Sequence, residues 1–217
     1  MQARVDVIFA STSIETAAAL QATKVVPVVF GGHADPVGVG HVSSLAHPGG
    51  NATGMAMLLT DLVAKRLETL KEVLPGATRF GVLFTPAAPS HVPALEASEK
   101  AARTLGIQLL LAPVGGGHDF ETVFAKMQQD GSDGIMILAT PLMLVHRAEI
   151  ADLAIRHRLP TVFGVKENVM AGGLMSYAGR PALRTADALS FRRQSQERQG
   201  NRARDAAAAP RSRRRGD

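Results

Sequence analysis

Cysteine is absent from the 217 residues, which excludes disulfides, thiolate metal sites and cysteine nucleophiles. Tryptophan is also absent and tyrosine occurs once, so stacking on nucleic-acid bases would fall mainly to eight phenylalanines. No apolar run reaches the length of a membrane span. No charged-then-apolar leader opens the sequence, so no export signal is expected. The glycine-lysine loop of phosphate binders and the G-x-S-x-G nucleophile elbow are both missing. Gly38 and Gly40 lack the third glycine of a dinucleotide fingerprint, because Ser43 stands in its place. His33, His41 and His47 fall in one loop region, but no carboxylate cluster matches a metal cage, so neither a metal nor another cofactor is expected.

What is present is enough apolar material for a sizeable core, 46% of the chain. The formal net charge of +5 is unevenly spread. Residues 179–217 hold 11 Arg against 4 acids, whereas residues 1–178 hold 13 Lys and Arg against 15 acids. Beyond Gly179 only Leu183, Leu189 and Phe191 are large and apolar, too little to offset chain entropy, so a basic disordered tail is expected over 179–217. Its Arg/Ala/Pro/Gly/Ser-rich text, without periodicity, is what out-of-frame GC-rich DNA encodes, and a frameshift product is the expectation there. A solvated tail or a basic arm for nucleic acid are the other readings.

Residues 1–178 alternate apolar runs with helical patterns. Strands are expected at Val5–Phe9, Val25–Phe30, Arg79–Phe84, Ile107–Leu111, Gly134–Leu138, Pro160–Phe163 and Gly173–Ser176. Thr12 with Glu15 fits a capping box that opens a helix to about Gln21. Thr60, Asp119 and Thr140 are expected caps of later helices, and Ser90–Leu105 is a helix ended by Gly106. On the helix after Thr60, Val63, Leu67, Leu70 and Leu74 share a face. The long Gly-rich connection 31–54 is expected to hold a helix around Val39–Ala46. Met55, Met57, Met136, Met143, Met170 and Met175 read as core filling. The fold class is α/β: parallel sheets flanked by helices, in two lobes of which the first is incomplete. The expected division is 1–54 as a partial first lobe, 55–165 as the second lobe, 166–178 as a crossover strand region, and 179–217 as the tail.

One arrangement recurs. Ser11-Thr12, Thr85 and Thr140 each place hydroxyls where a strand gives way to a helix N-terminus. Ligands in open α/β sheets bind outside the carboxyl ends of strands, where free N–H groups and a partial positive charge suit a carboxylate or a polar small molecule. Ordinary helix capping explains any one of them alone. Asp35 follows another strand end and either holds an ammonium group or caps the next segment. Glu167 and Asn168 follow the last long strand and either face the same cleft or lie in a solvated loop.

The stretch Val29-Phe30-Gly31 through Asp35-Pro36-Val37-Gly38, then Leu45-Ala46-His47-Pro48-Gly49-Gly50-Asn51-Ala52-Thr53-Gly54, resembles the ABC-transporter substrate-binding proteins of the TrpX-like type. So do Lys65-Arg66-Leu67-Glu68-Thr69-Leu70-Lys71-Glu72, Ala154-Ile155-Arg156-His157-Arg158-Leu159-Pro160 and Ala171-Gly172-Gly173-Leu174-Met175-Ser176-Tyr177. The resemblance runs from about Val5 to Ala178. It implies a type I periplasmic-binding-protein fold whose two lobes close on a small molecule, an amino acid or carboxylate, and dock on a membrane permease. It also implies a periplasmic location, although a chain without a leader would stay in the cytoplasm. Carried over position by position, the ligand-binding residues would be Ser11, Thr12, Ala34, Asp35, Thr85, Ala88, Thr140, Glu167 and Asn168. The family's usual Asn-Pro-Ala-Asn is here Thr85-Pro86-Ala87-Ala88, which removes an amide contact. Against the family pattern the chain reads as a truncated, frameshifted copy, lacking a first βαβα segment and diverging after Tyr177.

No nucleophile–base pair is evident, so a binder rather than an enzyme is expected. The alternative is an α/β enzyme acting on a carboxylated substrate in the same cleft, with Asp35, His33 and Glu167 as acid–base groups. A nucleic-acid-associated sensor would need the tail as its basic arm, and no nucleic-acid partner is expected.

Overall fold

The structure, a computed structural model, describes residues 5–116 and 119–178. Two parallel sheets organise them. The first contains β1 (Ile8–Ala10), β2 (Val28–His33) and β3 (Ala52–Ala56) in the order β1-β2-β3. The second contains β4 (Arg79–Phe84), β5 (Gln108–Pro113), β6 (Gly134–Ile137), β7 (Thr161–Phe163) and β8 (Met175–Ser176) in the order β5-β4-β6-β7-β8. The helices are α1 (Ser13–Ala22), α2 (Val63–Val73), α3 (His91–Leu105), α4 (Phe120–Gln129), α5 (Pro141–Val145), α6 (Arg147–Arg156) and α7 (Glu167–Met170).

Alternation along the strands builds the second sheet's two-sided core. Phe80, Val82, Met136 and Val162 point to one face, where Val63, Leu67 and Leu70 of α2 meet Ala94, Ala101 and Ala102 of α3. Leu83, Ile135, Ile137 and Phe163 point to the other, against Phe120, Phe124 and Met127 of α4 and Ile150 and Leu153 of α6. Strands buried on both faces need nearly unbroken apolar side chains, which is how β4 beyond the exposed Arg79, β6, and β7 beyond Thr161 read. Each large aliphatic or Phe side chain fully withdrawn from water contributes about 1.5–3 kcal/mol. The first sheet has a smaller core of Ala10, Val28, Phe30, Val42 and Ala52. Phe9 points away from it, is 69% exposed and lies across Gly31.

Several boundaries differ from the sequence expectation for identifiable reasons. The Thr23 hydroxyl accepts the N–H groups of Val25 and Val26, at 3.2 and 3.0 Å, which turns the chain there and delays β2 to Val28. No helix forms over Val39–Ala46. Asp35 Oδ1 takes the Gly38 N–H at 2.7 Å, Pro36 O takes the His41 N–H at 2.9 Å, and the glycines favour turns. The strand β3 at the end of that connection was not anticipated. Its residues Ala-Thr-Gly-Met-Ala lack bulk because Gly54 passes against β2: a Cβ there would lie 2.0 Å from Phe30 O, at φ 157°. The expected lobe division at 54/55 falls inside this strand.

Thr60 does not cap α2. The helix starts at Val63 behind Leu62, and Thr60 Oγ1 is buried without a hydrogen-bond partner. Asp119 precedes α4 but caps no amide of it, accepting instead from Gly115 and Gly116 at 3.2 Å each. Thr12 and Thr140 do cap, accepting from Glu15 N at 3.4 Å and Met143 N at 3.3 Å. Of the methionines expected in the core, Met136 and Met143 are buried but Met170 is 82% exposed. The expected basic tail 179–217 lies outside the described residues.

Candidate functional site

The carboxyl ends of the strands of both sheets converge on one cavity of about 360 Å³. From the first sheet come Ser11, Thr12, Ser13 and Ile14 after β1, Gly32 and Ala34 from the β2 end, and Met57 and Leu59 beyond β3. From the second come Ala88 and Ser90 after β4, Ala139 to Pro141 and Leu144 after β6, and Val165 after β7. This is where a parallel α/β sheet leaves loops and helix starts free to meet a ligand. The lining is mostly apolar and, among the described residues, carries no charged side chain.

Five of the nine residues selected from sequence, Ser11, Thr12, Ala34, Ala88 and Thr140, line this cavity. Four do not. Thr85 stands behind the wall, 7% exposed, with its hydroxyl 3.5 Å from that of Thr140. Asp35 is spent on the Gly38 turn. Glu167 and Asn168 open α7, the first exposed and the second 2% exposed with Nδ2 unpartnered. Sequence reasoning missed Met57, Leu59, Ser90, Leu144 and Val165. Ser90 and Val165 follow strand ends and were open to the same rule that found Thr140. Met57 and Leu59 follow the one strand that had no apolar signature.

Two buried histidines hold the walls. His33 is fully buried at the end of β2. Its Nδ1 lies 3.1 Å from Ser13 Oγ and accepts the Asp35 N–H at 3.1 Å, while its Nε2 lies 2.8 Å from His41 Nδ1. An accepting Nδ1 places the His33 proton on Nε2, from which it is donated to His41. Ser13 Oγ accepts the Ala34 N–H at 3.0 Å, so the first turn of α1 and the end of β2 are locked together. Burial, with His41 beside it, pulls His33 down to about 4. His91 repeats the device on the other side. Its Nδ1 accepts the Thr85 N–H at 2.9 Å and its Nε2 donates to Ala139 O at 3.4 Å, joining the ends of β4 and β6. Burial lowers its pKa as well. His33, Asp35 and Glu167, the acid–base groups of the enzyme alternative, are all absent from the cavity lining.

At the rim, Glu15 Oε2 receives both the N–H and the hydroxyl of Ser11 at 2.5 Å, and these contacts hold its carboxyl below the usual range. The capping box is thus widened by one residue: Glu15 takes the Ser11 N–H and hydroxyl as well as the backbone of Thr12.

The family model described as ABC transporter substrate binding protein matches residues 1–181. A tyrosine-binding protein of Clostridioides difficile (strain R20291) is 38% identical over 79 residues, 36% of this chain and 22% of that protein. Among solved structures, a conserved domain protein from Vibrio cholerae superposes with TM-score 0.71 at 27% identity, over 78% of this chain and 56% of that one. An ABC domain from Streptococcus pneumonia in complex with L-Trp gives TM-score 0.69 at 21% identity, over 79% and 58%, which is a likeness of fold. The chain therefore spans little more than half the length of these structures and less than a quarter of the tyrosine-binding protein. With a family model matching most of its length and a fold of two parallel sheets closing on one cavity, the chain belongs to the ABC transporter substrate-binding proteins.

Proposed function

We propose that this chain is the solute-binding component of an ABC importer, gripping a small molecule, an amino acid or a carboxylate, between its two sheets without transforming it. The observation that carries this is the composition of the cavity wall: strand ends from both sheets contribute, so a ligand held there contacts both at once. Ligand contacts to both sides favour the closed arrangement, which a permease can tell from the open one. Family membership supports a permease partner and a periplasmic site of action. A relative that binds tyrosine supports a small amino-acid-sized solute. A cavity of this size sits at the low end of the range for small-molecule sites, roughly 300–1,000 Å³.

The test is a thermal-shift screen of the full chain against amino acids and small carboxylates, followed by calorimetry on any hit. A concentration-dependent rise in Tm with at least one solute is expected. A flat response across the panel would remove the basis for solute binding.

A further inference from the structure

We infer that the cavity selects an apolar monocarboxylate lacking an α-ammonium group over the amino acid of the same side chain. This rests on the solute-binding reading and narrows its ligand class. Three observations converge on it.

The first is a set of unclaimed donors. In α1 the Glu15 N–H goes to Thr12 Oγ1 and the Thr16 N–H to Thr12 O. The amides of Ser13 and Ile14, both at the cavity, are left with no acceptor in their own helix. Thr12 Oγ1 accepts from Glu15 and keeps its own proton to give. Across the cavity, Ser90 is 4% exposed and its hydroxyl makes no hydrogen bond to the described residues. A hydroxyl on a cavity-lining residue, with no partner among the described residues, is free to meet a polar atom of a ligand. Amides at a helix N-terminus together with hydroxyl donors suit carboxylate oxygens.

The second is the absence of a counter-charge for an ammonium. Among the described residues no Asp or Glu lines the cavity. Asp35, the candidate for that role, has Oδ1 on the Gly38 amide and stands outside the lining. Glu15 is outside the lining too, at the exposed rim, where Ser11 and the backbone of Thr12 already occupy its carboxyl. His33 and His91 behind the wall are already engaged in their own hydrogen bonds. A buried ammonium without a carboxylate pays a desolvation cost that hydroxyls only partly offset.

The third is the rest of the wall. Ile14, Met57, Leu59, Pro141, Leu144 and Val165 offer an apolar surface to the remainder of the ligand. Met57 supplies an adaptable thioether suited to an aromatic or branched group.

The experiment titrates the full chain calorimetrically with 3-phenylpropionate, L-phenylalanine and 3-phenylpropionamide, and with the aliphatic pair 4-methylpentanoate and L-leucine. Each acid is expected to bind at least tenfold more tightly than its amino acid, and 3-phenylpropionate at least tenfold more tightly than its amide. Amino acids binding as well as the acids would overturn the inference while leaving solute binding intact. An amide equal to the acid would overturn the carboxylate half of it. If no compound binds, here or in the wider panel, the solute-binding reading falls and takes this inference with it. Ser90→Ala supplies a separate arm. It should leave the ligand-free Tm unchanged, because the Ser90 hydroxyl has no partner among the described residues to lose, and weaken 3-phenylpropionate several-fold. Unchanged affinity in that variant would remove Ser90 from the site and overturn the donor set proposed here.

Discussion

Arg66 Nε donates to Tyr177 O at 2.9 Å, joining α2 to the chain just beyond β8, 111 residues away in sequence. The same guanidinium donates from Nη1 to Leu59 O at 2.9 Å. Leu59 lies on the segment that leads from the first sheet into α2, and Tyr177 leaves the second sheet, so one side chain grips both. Arg66 is 1% exposed, faces no carboxylate among the described residues, and leaves Nη2 unpartnered. Burial pulls its pKa down to about 10. Lysine keeps the charge but cannot fork to two carbonyls. Arg66→Lys should therefore lose roughly 1.5–3 kcal/mol, the size of one hydrogen bond to a charged group. Urea unfolding checks this, and an unchanged midpoint would show that the clamp contributes nothing.

Acid should weaken the fold through His33. Its native value of about 4 lies below the ordinary 6.5, so the unfolded chain takes up a proton before the native one does. Above pH 6.5 neither state is protonated and the full stability is present. Between 6.5 and about 4 stability falls with each step in pH, and below about 4 this contribution is gone. The loss is on the order of 3 kcal/mol. His91 and His41, also shifted down by burial, add to the same slope. Urea midpoints from pH 7.5 to 4 should show the decline, and His33→Gln should flatten it while lowering stability at pH 7. A His33 ring signal that titrates near 6.5 in the folded protein would contradict this assignment.

How much of this was legible in the sequence depends on which force fixed each element. The buried strands β4, β6 and β7 announced themselves, because burial on both faces demands unbroken apolar runs. Thr12 and Thr140 were legible as caps because capping is local chemistry. Thr60 and Asp119 have the same chemistry but cap nothing: Thr60 Oγ1 is left without a partner and Asp119 turns to Gly115 and Gly116, and nothing local distinguishes these outcomes from capping. The strand β3 was illegible because Gly54 is selected by the backbone of Phe30, a tertiary neighbour. Nothing local marks Arg66 as buried. Its burial follows from two carbonyls, at Leu59 and Tyr177, that only the folded chain brings together. The site divided the same way: Ser11, Thr12 and Thr140 sit where the strand-end rule puts them, whereas Met57 and Leu59 depend on the unseen strand.

Gly54 offers a sharp test of the first sheet. A Cβ at that position would meet the backbone of Phe30, which cannot swing aside as a side-chain tip can, and the φ of 157° is itself one that glycine favours. Gly54→Ala should cost about 3 kcal/mol, at the upper end for overpacking. Gly76, with nothing within 4 Å of its added Cβ, is the control and should tolerate alanine with little change. Equal Tm values for the two variants would mean that β2 and β3 are not paired as described.

Thr140 combines two jobs that substitution can separate. Its hydroxyl accepts the Met143 N–H to start α5, lies 3.5 Å from Thr85 Oγ1, and borders the cavity. Serine keeps the hydroxyl and loses a methyl; valine keeps the shape and loses the hydroxyl. Thr140→Val should cost about 1 kcal/mol of stability, as expected for a lost cap. If the hydroxyl also contacts ligand, affinity should drop roughly tenfold in the same variant, one hydrogen bond's worth. Thr140→Ser should retain most of both. A valine variant that loses stability but binds normally would assign Thr140 to the cap alone, and the ligand's polar contacts would then rest on α1 and Ser90.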